Sequence, residues 1–221
     1  MILSGKEDIL VLTAHADDET IFCGGTMMVW HKCNWTVICC TGTKTDMRGT
    51  QFVRAMKYFQ HLGVNIVKYD MLELYDDGIA PTPSQEELWE KKIRALNLKP
   101  DMVLSHNARG EYESPYHITL HNVAKKIYPN IWEFICPGSY KVYPQPWKEE
   151  VMTIPLSRQM LDLKTEVFNR CYTSELLCWK NLPGVMNYEF RQGPELFTRG
   201  EPLWDPKTGK AFKKKPQEAI K

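Results

Sequence analysis

None of the seven cysteines in this chain is spaced C-x-x-C from another. An odd count with no secretory segment beside it argues against a disulfide framework and for thiols kept reduced, so a cytoplasmic location is expected. The apolar patch before Gly5-Lys6-Glu7-Asp8 is too brief for a signal peptide. No stretch approaches the roughly 20 apolar residues that a membrane helix needs, so no span is expected. Excess charge is lacking as well. Twenty-eight Lys and Arg against 27 Asp and Glu leave +1, which argues against a broad polyanion-binding face. With no internal repeat and no long linker, residues 1–221 read as one domain. Its basic end from about residue 204, with Lys207, Lys210 and Lys213-Lys214-Lys215, is expected to be solvated and loosely ordered.

What is present alternates between two periods. Ile9-Leu10-Val11-Leu12, Trp35 to Thr41, Ile66 to Tyr69, Asp101 to His106 and Ile131 to Cys136 are short apolar runs of the kind buried on both faces of a parallel sheet. Helical stripes lie between them. Phe52, Ala55, Met56, Phe59 and Leu62 form one, ended by Gly63; Trp89, Ile93 and Leu96 form another, with Ser84 and Glu87 as its capping box. Lys164 to Trp179 reads as a late helix, and Tyr140 to Pro155 as an aromatic wall or a lid. Strands separated by helices imply right-handed crossovers. The expected fold is α/β, a Rossmann-like three-layer sandwich with a mostly parallel sheet in core order 3-2-1-4-5.

Two clusters of chemistry-bearing residues follow strands one and four. Leu12-Thr13-Ala14-His15-Ala16-Asp17-Asp18-Glu19 sets an imidazole and three carboxylates at the end of an apolar run, a spacing suited to a metal and its water. Helix capping and dipole complement are the competing reading of the carboxylates. The second cluster runs from His106 through Arg109-Gly110-Glu111-Tyr112-Glu113-Ser114-Pro115-Tyr116-His117. Ser114 before Pro115 marks a helix start, which puts His117 in the first turn and His121 one turn later on the same face. The order 3-2-1-4-5 sets strands one and four side by side at the switch point, so the two clusters come within reach of each other.

AHADDE near the N-terminus, with GEYxxPxH about a hundred residues on, resembles the LmbE-like, or PIG-L, family of zinc-dependent N-deacetylases. The similarity runs from about Asp8 to Arg191, with echoes in Leu62-Gly63, Asp77-Gly78 and Tyr188-Glu189-Phe190-Arg191. The resemblance implies zinc (Zn2+) held by His15, Asp18 and His117, Asp17 as general base, and Tyr112 polarising the acyl carbonyl. Three ligands leave a position for water, as in a catalytic site. One departure stands out. Where the family commonly reads GHPDH, this chain has Glu113-Ser114-Pro115-Tyr116-His117, so Ser114 replaces the histidine that stabilises the oxyanion and Tyr116 replaces an aspartate. Losing one such donor costs about a hundredfold or more in rate. His106, His121, Tyr116 and Arg109 are the candidate replacements.

For substrate contacts, Arg48, in a loop after the second strand, suits a hydroxyl, phosphate or carboxylate, and Asp77 suits the sugar pocket unless it only shapes its turn. His106 and Arg109 complete the candidate substrate set. The expected activity is removal of an N-acyl group, most simply acetyl, from a small amino-sugar conjugate such as an N-acetylglucosamine derivative. The alternative is a non-catalytic carbohydrate- or nucleotide-binding protein that retains the zinc pocket. A nucleic-acid-linked sugar has no support in the sequence, and a homo-oligomer is left open.

Overall fold

The computed structural model describes residues 3–136, 148–178, 189–190 and 194–202. Seven strands form one sheet: β1 (Asp8–Thr13), β2 (Asn34–Thr41), β3 (Ile66–Leu74), β4 (Met102–Ser105), β5 (Trp132–Ile135), β6 (Lys148–Ile154) and β7 (Glu195–Pro202), in the order β3-β2-β1-β4-β5-β7-β6. The first five are parallel, in the expected order 3-2-1-4-5, while β7 runs antiparallel to β5 and β6.

Helices cover both faces, which is why β1 is apolar at consecutive positions. Its Ile9 and Val11 pack with Phe22 of α1 (Asp18–Val29), Phe52 and Phe59 of α2 (Met47–His61) and Phe168 of α6 (Arg158–Cys171). Leu10 and Leu12 face the other way, against Trp89 and Ile93 of α3 (Pro83–Ala95) and Leu120 and Val123 of α5 (Pro115–Ile127). Each such side chain contributes roughly 1.5–3 kcal/mol by leaving water. Two short turns of helix, α4 (Gly110–Glu113) and α7 (Glu175–Cys178), complete the described elements. None of the described helices is long and apolar enough to cross a membrane.

Local details depart from the sequence reading. The capping box of α3 is Thr82 with Gln85, two residues earlier than Ser84 and Glu87, because Pro83 fixes the first helical position. β3 extends to Leu74, and α2 starts at Met47, so Arg48 sits in its first turn instead of a loop. Residues 148–154 form the edge strand β6, not a lid; residues 137–147 lie outside the described part, as do Trp179, Tyr188, Arg191 and the basic tail. Cys23, Cys33, Cys39, Cys40, Cys136 and Cys171 are free and buried.

Candidate metal centre

The strand order reverses at β1 and β4, which pair in parallel with Leu12 opposite Ser105. Their carboxyl ends open into one crevice, and the loops leaving them are tied together where the Ala14 N–H donates to His106 Nε2 at 3.0 Å.

After β1 the chain turns sharply. Asp17 has φ 130° and ψ −30°, a conformation that L-residues rarely adopt and that costs on the order of 1–3 kcal/mol. Although Asp17 occupies the N-cap position of α1, its side chain makes no capping hydrogen bond, so the capping reading fails for it. The N–H of Asp17 donates instead to Glu19 Oε2 at 3.1 Å. Asp18, in the first turn, folds back so that Oδ2 accepts from the His15 N–H at 2.8 Å.

After β4, Ser114 caps α5, its hydroxyl oxygen accepting from the His117 N–H at 3.5 Å. Just before it, Glu111 takes φ 57°, which turns its carboxylate inward. Glu111 Oε2 accepts from Nδ1 of His117 at 2.6 Å and of His106 at 2.8 Å. The two rings stack with centroids 3.7 Å apart. A carboxylate in that place holds the proton of each ring on Nδ1 and leaves Nε2 of His117 as a lone pair aimed into the crevice.

Three donor atoms meet there. His15 Nδ1 lies 3.1 Å from His117 Nε2, and Asp18 Oδ2 lies 3.5 Å from the first and 3.3 Å from the second. Tetrahedral zinc with ligands about 2.0–2.1 Å away separates its donors by about 3.3 Å, so these residues fit the ion. Asp18 Oδ1 is buried without a hydrogen-bond partner, a second sign that the carboxylate is arranged for a cation. His106, Glu111 and His117 form an overlapping candidate group, but there Glu111 already holds the two Nδ1 protons.

Burial opposes charge throughout the cluster, yet the partners prevail. His117 and His106 hold Asp18 well below the usual carboxylate range despite its complete burial. Burial likewise works against Glu111, but His106 and His117 bring it down to about 2. The group at His15 Nε2 is Asp76, 3.1 Å away, which that contact lowers to about 2.

The other sequence candidates fall at varying distances from this centre. Tyr112, half-buried, points its hydroxyl at His117 Nε2 from 3.5 Å, and burial pushes its ionisation well above the ordinary value. Arg48 reaches Asp17 Oδ1 at 3.5 Å and the Ala16 carbonyl at 3.3 Å. Asp77 anchors its turn: Oδ1 accepts from Tyr116 Oη and from the Ile79 N–H, each at 2.9 Å. Arg109 pairs with Glu113 at 3.3 Å on the surface, and His121 contacts the His106 carbonyl at 3.0 Å. Glu111 and Asp76 were not singled out from the sequence, and Glu19 was read only as one of the three carboxylates after the first strand. Glu111 stands inside a quoted motif, so a carboxylate beside two histidines was the available signal; Asp76 carried none beyond being next to Asp77. A cavity of about 570 Å3 adjoins the centre, lined by Ala16, Thr41, Thr43, Arg48, Tyr75 and Asp76 among others.

Residues 10–128, more than half of the chain, match the model of the family described as PIG-L, GlcNAc-PI de-N-acetylase. This chain belongs to the PIG-L family. Membership supports a deacetylase. Uncharacterized protein L374 of Acanthamoeba polyphaga mimivirus is 28% identical over 149 residues, which cover 58% of this chain and 62% of that protein. The chain thus spans under two thirds of that relative's length. Among solved structures, the zinc-inhibited form of teicoplanin deacetylase Orf2 superposes with a TM-score of 0.64 at 14% identity, covering 87% of this chain and 98% of that one. GalB of Pseudomonas putida KT2440, a 4-carboxy-2-hydroxymuconate hydratase, gives 0.55 at 15% identity, with 81% and 84% covered. At such identities the likeness is one of fold, and a hydratase among the neighbours shows that the fold alone does not choose the reaction.

Proposed function

We propose that this PIG-L family chain is a zinc-dependent N-deacetylase acting on an amino-sugar conjugate such as an N-acetylglucosamine derivative. The observation that carries the reading is the triangle of His15 Nδ1, Asp18 Oδ2 and His117 Nε2, with edges of 3.1–3.5 Å, beside an open cavity. Those three residues would hold the ion, which when bound supplies a Lewis acid for the amide carbonyl and lowers the pKa of water toward about 7.

The chain's own residues do the rest. Glu111 fixes the His117 tautomer so that Nε2 faces the centre. Asp17 takes a proton from the attacking water and returns it to the departing sugar nitrogen. Tyr112, still a phenol at neutral pH, donates its O–H to the acyl oxygen as charge builds there. Ser114 contributes as the cap that orients His117, which leaves the carbonyl side to Tyr112 in place of the histidine that the family commonly carries. The cavity flanked by Arg48 and Asp76 receives the sugar conjugate.

The test is metal analysis together with acetate release from N-acetylglucosamine conjugates. Purified protein should carry one zinc and release acetate; Asp17→Asn should keep the zinc and lose about 10²–10⁴-fold in rate. An unaffected rate in that variant would sink the mechanism, and absence of metal at normal occupancy of the fold would sink the assignment.

A further inference from the structure

We infer that Tyr172 and Glu175, at the junction of α6 and α7, are positioning residues that aim Asp17 by two separate routes. The inference rests on the reading of Asp17 as the proton-transfer group. It enlarges the working site with a segment beyond residues 10–128, the part of the chain that matches the family model.

Asp17 needs holding. Its backbone lies in a region that favours glycine, its side chain caps nothing, and it is almost fully buried. The first route ends on its N–H. Glu19, fully buried, accepts that N–H through Oε2 at 3.1 Å, while Oε1 accepts the hydroxyls of Tyr172 at 2.6 Å and Thr20 at 2.7 Å. Tyr172 is fully buried too and packs on Phe168, so its hydroxyl is fixed by α6. The second route ends on the side chain and the preceding carbonyl. Arg48 Nη2 lies 3.3 Å from the Ala16 carbonyl oxygen and 3.5 Å from Asp17 Oδ1, while Arg48 Nε forms an ion pair with Glu175 Oε1 at 3.1 Å. Ser174 Oγ, 3.0 Å from both Glu175 Oε1 and Gln51 Oε1, pins that carboxylate against α2.

Both routes begin within four residues, Tyr172 to Glu175, and both converge on the Ala16-Asp17 peptide. Fixing an N–H alone would leave the carboxylate free to swing; fixing the carboxylate alone would let the strained backbone relax. Together they hold the base where the water and the amide nitrogen must lie. Arg48, in this arrangement, is engaged with the base and its peptide, and under this inference it orients them.

Tyr172→Phe and Glu175→Gln preserve shape and are the variants of choice. With N-acetylglucosamine as probe and the released amine measured on zinc-loaded protein, each should lower kcat about tenfold to a hundredfold, the effect of a misplacement near 1 Å, with KM within about twofold and zinc content unchanged. In an Asp17→Asn background neither substitution should lower the residual rate further. Equal losses in both backgrounds would overturn the inference, as would an unchanged kcat in the two single variants. Crystal structures of the variants provide a readout independent of turnover: φ of residue 17 should leave the positive region or the carboxylate should rotate, and an unmoved Asp17 in both would also overturn it. If Asp17→Asn alone kept the full rate, the assignment of the base would fall, while the crystal structures would still decide the positioning.

Discussion

Two groups of buried charges sit at different points along α1, and they are built to different ends. At its N-terminus, His15, Asp18, His106, Glu111 and His117 crowd lone pairs and negative charge together, and Asp18 Oδ1 is left without a partner. Behind the middle of the helix, Lys164 places its ammonium 2.7 Å from Glu195 and 3.4 Å from Glu189. Glu195 also accepts the N–H groups of Gly25 and Thr26 and the Thr26 hydroxyl, at 2.6–2.8 Å. This second cluster contains its own cation. In the first, Asp18 Oδ1 has no such partner, and under the proposed function a metal ion would supply the cation. Buried charge by itself therefore says little about function; what distinguishes the two is whether the donors and acceptors balance within the protein.

That division can be broken by substitution. The largest effect expected is from Lys164→Met, which strands the buried Glu195 carboxylate and removes the ammonium beside Glu189, and should cost about 3–5 kcal/mol in urea unfolding, with the zinc stoichiometry of the folded fraction unchanged. Loss of metal at unaltered stability would show the clusters to be one system. Glu111→Gln should act in the reverse sense, weakening zinc about 10–100-fold in titration calorimetry, with a smaller change in the stability of the metal-free protein than Lys164→Met brings.

The remaining effect sharpens the comparison through pH. Burial, offset in part by Lys164, raises Glu189 to about 8 from an ordinary 4.5. Between those values the fold binds a proton that the unfolded chain has released, so this contribution to stability is complete below 4.5, falls as pH rises and is gone above 8. Glu189→Gln should flatten the decline in stability between pH 5 and 8, measured by urea titration at several pH values ~1 unit apart. A slope as steep as in the parent protein would contradict the raised value.

How far the site could be read before folding depended on what each residue's role rests on. His15, Asp18 and His117 were legible because their motifs resemble those of the family, and the switch-point order, which follows from local pattern, brings their strand ends together. Glu111 was not, because its inward turn depends on φ 57°, which neighbouring sequence does not announce. The choice of Asp76 over Asp77 as the neighbour of His15 is of the same kind, since one residue in an irregular turn reverses the direction of the side chain. Arg48 was placed in a loop because α2 starts with Met47-Arg48-Gly49, weak helix signals that Asp46 overrides by accepting the Gly49 N–H. The strands β6 and β7 escaped notice for a different reason: their pairing is antiparallel and long-range, outside the βα alternation that identified the rest.

By itself, then, the sequence determined the parallel core and its strand order, because apolar periodicity and chain chirality leave few ways to bury those runs; the three residues that converge on one point followed from the resemblance of its motifs to those of the family. Only the tertiary structure decided which carboxylate orients the histidines, which aspartate reaches His15, and that Tyr172 and Glu175 bear on Asp17. Those contacts join residues 6 to more than 150 positions apart, and their energies depend on distances and burial that exist only once the sheet has brought its ends together.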